Sequence, residues 1–266
     1  MGFRLYLPQA WTDDLDRCQA AGVPEGVSFQ TNWQLALELI DEGLGWGLAK
    51  PPAVLADAAY GDVTEFREAL EERGLAYAVG ISKSLAVWPE PPNGAVPEWN
   101  GQGRPTKCMR FGAKKPLSVK DLAGQNGKRF RKVTWHEGTK GKRASRCWAQ
   151  RVEPAHGWSS GRAPGTPVWL LVEWPADEDE PVKYYFCNLQ PSVSLKPLVV
   201  TARGRGRVEQ NDQQLKEELG LDHFEGRSWR GWHHHVTMVM RAHLFLRREQ
   251  KRRSSKSARD TAASPT

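Results

Sequence analysis

The sequence predicts an α/β fold with a large β-rich basic insertion, on three observations. Up to residue 82, short apolar runs alternate with amphipathic, capped stretches, which is the strand–helix–strand order of an α/β sheet. Residues 131–186 then carry four runs rich in Trp and β-branched residues, RKVTW, RCWAQRVE, VWLLVEW and VKYYF, separated by Gly/Pro turns. The charge is also distributed unevenly. Residues 1–100 hold 6 Lys/Arg against 15 Asp/Glu, whereas residues 101–165 hold 16 against 3.

The elements follow in order. FRLYL at 3–7 alternates apolar and polar residues and reads as a strand ending at Pro8. Residues 12–30 read as a polar loop. Thr31 with Gln34 forms a capping-box pattern and opens a helix to about Leu44, with Leu35, Leu39 and Ile40 facing inward. Val54, Leu55 and Ala56 form a short buried strand whose C-terminal end delivers Asp57. Asp62 with Glu65 starts a helix to about Glu72, stopped by Gly74, and residues 75–82 form the next strand. The Pro-, Gly- and Lys-rich stretch from 89 leads into the β-rich runs. The α/β pattern returns with a strand at 183–188, a helix over 205–220 and a last helix from about Trp229 to Arg248. The domain reading is therefore 1–83 and 183–248 for the core, 84–182 for the insertion, and 249–266 for a disordered basic tail.

Length and composition narrow the function. A chain of 266 residues buries a real core, and no run of 18 apolar residues predicts a membrane span. The N-terminus lacks the charged and apolar regions of a signal peptide. Cys18, Cys108, Cys147 and Cys187 are widely spaced, form no CxxC and read as reduced thiols, in keeping with a cytoplasmic, nucleoid-associated protein. The net charge is +7 and the pI about 9.3. A basic block as dense as 101–165 calls for an anionic partner, and a polyphosphate is the obvious one.

The chemistry centres on two segments. On a helix turning about 100° per residue, Arg205, Glu209 and Lys216 fall within about 40° of one another, a carboxylate between two cations, with Val208, Leu215 and Leu219 as the buried stripe. An acid at the C-terminal tip of a buried strand, here Asp57, faces active-site space in open α/β sheets. Two carboxylates beside a basic surface suit Mg²⁺-dependent phosphoryl transfer, in which paired ions activate the nucleophile and stabilise the leaving oxygen.

These residues carry a family resemblance. Arg205-x3-Glu209-x6-Lys216, ELGLDHFEGRSWRGWHHH after it, ADAAYGD around Asp57 and WHEGTKGKRASRC in the insertion resemble the bacterial insertion-sequence DDE transposases of the Y-R-E-K signature group. The resemblance implies an RNase H-like core in which Asp57 is the second catalytic acid and Glu209 the third, both ligands of two Mg²⁺ (or Mn²⁺) ions. It implies that Arg205 and Lys216 contact DNA phosphates, with Arg203, Arg207 and Lys140 as further DNA contacts, and that Trp135 or Trp148 stacks on a displaced base. It also implies a double-stranded DNA partner at transposon ends, a homodimeric synaptic complex and no membrane. The signature's Tyr falls on Ala202, and the first catalytic Asp belongs to a strand upstream of residues 3–7. Asp13, Asp14 and Asp16 are poor substitutes. The expectation is an incomplete core that retains DNA affinity with impaired catalysis, or an inactive DNA-binding remnant that competes with intact transposase. An unrelated basic nuclease would need a third acid such as Asp62 or Asp222.

Three weaker signals complete the reading. His233, His234 and His235 sit on one helical turn about 100° apart and cannot converge on one ion. GTKGK at 138–142 lacks P-loop spacing and reads as a basic hairpin turn. The run RREQKRR in the tail is ambiguous between a phosphate contact and a solvated end.

Overall fold

The computed structural model describes residues 2–138 and 141–262. In chain order the elements are α1 (Gln9–Thr12), α2 (Leu15–Ala21), α3 (Asn32–Gly45), β1 (Val54–Ala56), α4 (Ala58–Gly61), α5 (Thr64–Glu72), β2 (Tyr77–Ile81), β3 (Ala86–Trp88), β4 (Gly94–Ala95), β5 (Arg110–Phe111), β6 (Leu117–Ser118) and α6 (Val119–Gln125). They continue with β7 (Arg131–Gly138), β8 (Gly141–Pro154), β9 (Val168–Trp174), β10 (Lys183–Cys187), α7 (Leu195–Arg203), α8 (Gly206–Gln213) and α9 (Trp229–Ala262). The fold is mixed α/β. The chain divides into two compact units, one of residues 36–205 and one of residues 1–35 with 206–266.

The unit 36–205 is built on one mixed sheet in the order β1-β2-β10-β9-β8-β3-β6, with β7 also pairing with β8. Among the described strands only β1 and β2 run parallel; β10 lies antiparallel to both β2 and β9. The strands of the basic stretch hydrogen-bond through β9 and β10 into the sheet that carries β1, so they extend it. The alternation of β8 and β9 explains why both faces are covered. Cys147 and Leu171 point to the face where Leu198, Val199 and Ala202 of α7 pack. Trp148, Leu170 and Val172 point to the opposite face and are fully buried there. The helix α7 itself was not expected from the sequence, because KPL near its start breaks an otherwise short apolar pattern.

Half of the predicted capping box at Thr31 forms: the Thr31 N–H donates to Gln34 Oε1 at 2.8 Å, and the Thr31 hydroxyl donates to the same oxygen at 2.8 Å. The box expected at Asp62 and Glu65 does not. The helix α5 begins one residue later with Val63 as its cap, and Asp62 instead accepts from the Ser82 N–H at 2.8 Å. In a tight α/β turn, a carboxylate that finds a neighbouring strand's amide satisfies a donor that the sheet leaves open.

In the unit of residues 1–35 and 206–266, residues 3–7 form no strand. No described strand pairs with them, and their aromatics pack on other partners: Phe3 lies edge-on to Trp232 of α9 at 5.7 Å and Tyr6 to Phe29 at 6.3 Å. The segment 12–30 is likewise more ordered than a polar loop, because Asp14 caps α2 by accepting from the Arg17 N–H at 3.0 Å. The last helix runs on to Ala262, past the boundary expected at 248. Its continuation opens with Glu249, Gln250, Lys251, Arg252 and Arg253, all good helix formers, and Glu249 pairs with Arg252 at 2.8 Å.

Candidate active site

The short strand β1 ends at Ala56, and Asp57 turns the chain directly into α4. The Asp57 side chain caps this helix, Oδ1 accepting from the Ala59 N–H at 3.1 Å. The turn lies hard against β2. A Cβ on Gly61 would stand 1.9 Å from the Gly80 carbonyl oxygen, and one on Gly80 would stand 3.3 Å from the Ala58 nitrogen. Gly61 therefore has no room for a side chain, and Gly80 has little. Arg67, 4% exposed, closes the turn from beneath by donating to the Gly61 carbonyl and to Thr64 Oγ1. Burial lowers its affinity for its proton, and the surrounding Tyr77, Asp62, Glu68 and Glu71 raise it again. Composition gave no signal for Arg67. Its spacing from Gly61 identifies it only once the turn is known.

The other carboxylate oxygen of Asp57, Oδ2, faces Arg205, 3.4 Å from its guanidinium nitrogen. Arg205 follows the last turn of α7, where the backbone passes so close to β1 that a Cβ on Gly204 would meet Leu55 at 3.0 Å. Both partners are about two-fifths exposed, so their attraction is screened by water. The nearby Tyr60 hydroxyl is held above its usual value, first by burial and then by the Asp57 charge.

The other expected site residues take varied positions. Arg203 makes a close ion pair with Glu173, which is 3% exposed, and its guanidinium lies 4.4 Å from the centre of the Trp135 ring. Trp135 therefore already carries a cation on its ring, and Trp148, 3% exposed, is a core residue beside Phe130. Glu209 lies in the first turn of α8. Lys216 pairs with Asp212 at 2.8 Å, which raises its pKa. The single stripe expected over 205–216 is not regular. Arg205 precedes the helix, Lys216 sits in a π-turn at Gln214–Glu218 that adds a residue to the repeat, and Val208 is 54% exposed where burial was expected. Lys140 lies outside the described residues, as does the side chain of Arg207. The three histidines diverge as expected: His233 contacts the Trp229 carbonyl and His235 the Gly220 carbonyl, each at 2.9 Å.

A divalent ion would find a hard oxygen donor in Asp57, but among the described residues no group of three His, Cys, Asp or Glu side chains gathers around one point. Asp57 is one ligand, not a complete metal site. No helix among the described residues is long and apolar enough to cross a membrane.

A carboxylate thus stands at a strand end of a mixed α/β sheet, beside an arginine, in an architecture consistent with the α/β fold of DDE nucleases. The sequence profile of a family described as DDE superfamily endonuclease matches residues 1–142, and the chain belongs to that family. The match includes Asp57 and ends before Glu209. No curated protein matches the chain. Membership implies a DNA substrate and a transposase-like nuclease, in a superfamily that usually uses divalent metal ions.

Proposed function

We propose that the protein is a transposase-like enzyme of DNA transposition and recombination that binds transposon-end DNA, with Asp57 and Glu209 as its catalytic acids and metal ligands. The observation that carries the reading is the Asp57 turn: a carboxylate at the C-terminal end of a strand that is half-buried, where a buried one was expected, packed against Gly80, braced by Arg67 and faced by Arg205 at 3.4 Å. Bound Mg²⁺ or Mn²⁺, in the two-ion arrangement the resemblance implies, would supply Lewis-acid activation of water and of the leaving oxygen. The residues of this chain would orient the phosphate and balance its charge, Arg205, Arg207 and Lys216 on the DNA backbone. Arg203 contributes indirectly, by holding the end of α7 on Glu173. In this reading 84–182 is the insertion in an RNase H-like core, and a homodimer joins two ends.

The second reading is a DNA-binding protein without catalysis, competing for the same ends. It is favoured by the lack of a three-acid cluster among the described residues and by β1, whose only described neighbour strand is β2. Filter binding to transposon-end duplex, paired with a Mn²⁺-dependent nicking assay, separates the two. The first reading expects salt-sensitive binding and weak nicking that disappears in Asp57→Ala and Glu209→Ala. Binding with no nicking leaves the second, and absence of DNA binding ends both.

A further inference from the structure

A cavity of about 450 Å³ opens between the start of α7 and strands β8 and β9. That is the size of a small-molecule site. Its apolar wall includes Leu195 and Leu198 of α7 and the indole of Trp169 on β9, and Lys128, Arg129 and Arg131 line its other side. All three cations are exposed, and none has a carboxylate partner among the described residues. Arg131 lies directly opposite Cys147 in the β7–β8 ladder, hence on the face that α7 covers. Arg151, directly opposite Trp169 across β8 and β9, lies outside the cavity lining, 5.7 Å from the Trp169 ring and donating to the Pro167 carbonyl. The ring itself is fixed, because its N–H donates to the Gln190 carbonyl at 3.2 Å.

Cations gathered without counter-charge repel one another until an anion arrives. Inorganic phosphate would satisfy them and leave the indole and leucine wall uncovered. A purely apolar ligand would do the reverse. We propose that this cavity binds a nucleoside phosphate, the phosphate on Lys128, Arg129 and Arg131 and the base against Trp169. The site uses neither Asp57 nor Glu209 and stands apart from the reading above. The same chemistry is offered by a free nucleotide and by one nucleotide of a DNA strand.

Isothermal titration of the full chain with dTMP, thymidine and inorganic phosphate tests the proposal. The nucleotide is expected to bind about tenfold or more tightly than either part, since only it engages cations and indole together. Arg131→Glu, at an exposed position that should not disturb folding, is expected to weaken dTMP about tenfold or more. Trp169→Leu is expected to weaken it severalfold, with the circular dichroism melt as the fold control. Lys114→Glu makes the same charge change at a residue that does not line the cavity and should leave affinity unchanged. A single-stranded oligonucleotide displaced by dTMP identifies a strand as a source, and one that is not displaced identifies the free nucleotide. The proposal is overturned if dTMP binds no better than phosphate, if Arg131→Glu has no effect, or if Arg131→Glu and Lys114→Glu weaken binding equally.

Discussion

Arg205 is the cation that meets the proposed catalytic acid, 3.4 Å from Asp57 and about two-fifths exposed. Its replacement by Ala should leave the fold intact and weaken binding to all duplex sequences alike. The slope of log affinity against log salt should fall by about 1, as for loss of one phosphate contact. An unchanged slope would remove Arg205 from the DNA surface. The cysteines make a separate prediction. Burial pushes the Cys147 thiol up to about 11 and the Cys187 thiol up to about 12, whereas Cys108 is exposed and Cys18 partly so. At about pH 8 a disulfide reagent should label Cys108 and Cys18 in the native protein, and Cys147 and Cys187 only after unfolding. His243 is 2% exposed, and its Nε2 has no hydrogen-bond partner. Burial and then Arg247 hold its pKa below the usual imidazole value, against the opposite pull of Glu218. The unfolded chain therefore takes up this proton first. The stability contributed by neutral His243 is whole above about pH 6.5 and is lost as pH falls through the lower folded value. Urea unfolding of His243→Leu should show a shallower loss of stability on acidification than the parent.

The element with the least tolerance is the turn that carries Asp57. Gly61→Ala drives a methyl into the Gly80 carbonyl, because the two backbones are already in contact. It should cost about 3 kcal/mol or more in denaturant unfolding, at the upper end of overpacking effects. A loss under about 0.5 kcal/mol would show that α4 and β2 are less closely packed. This turn was legible in the sequence as far as Asp57 and the strand before it, because a short apolar run ending in an acid is a local signal. The partners that fix it were not. Gly80 and Arg67 matter through a backbone approach and a buried guanidinium, and neither leaves a periodic trace. The same limit explains the stripe at 205–216. A constant 100° repeat is a sound rule for a regular helix, but a glycine link at 204–206 and a π-turn at Gln214–Glu218 both break the repeat.

At the scale of the molecule, charge was the most legible property and topology the least. The basic block of 101–165 was plain in the sequence, and so were the strands that carry much of it. Their joining with β1 and β2 in one sheet depends on β10, which sits between β2 and β9 and comes from beyond residue 182. Such a pairing is set by contacts across a hundred residues, which local pattern cannot reveal. Asp57 belongs to the unit 36–205, and Glu209 to the unit that joins residues 1–35 with 206–266. The proposed catalysis requires that the two act on the same ion. Mn²⁺ affinity of the full chain in the presence of duplex DNA, read from the electron paramagnetic resonance signal of the free ion, tests this most directly. Asp57→Ala and Glu209→Ala should each lower the affinity about tenfold or more, and the double variant should lose little beyond the worse single one. Parent-like Mn²⁺ binding in either single variant would contradict the shared site.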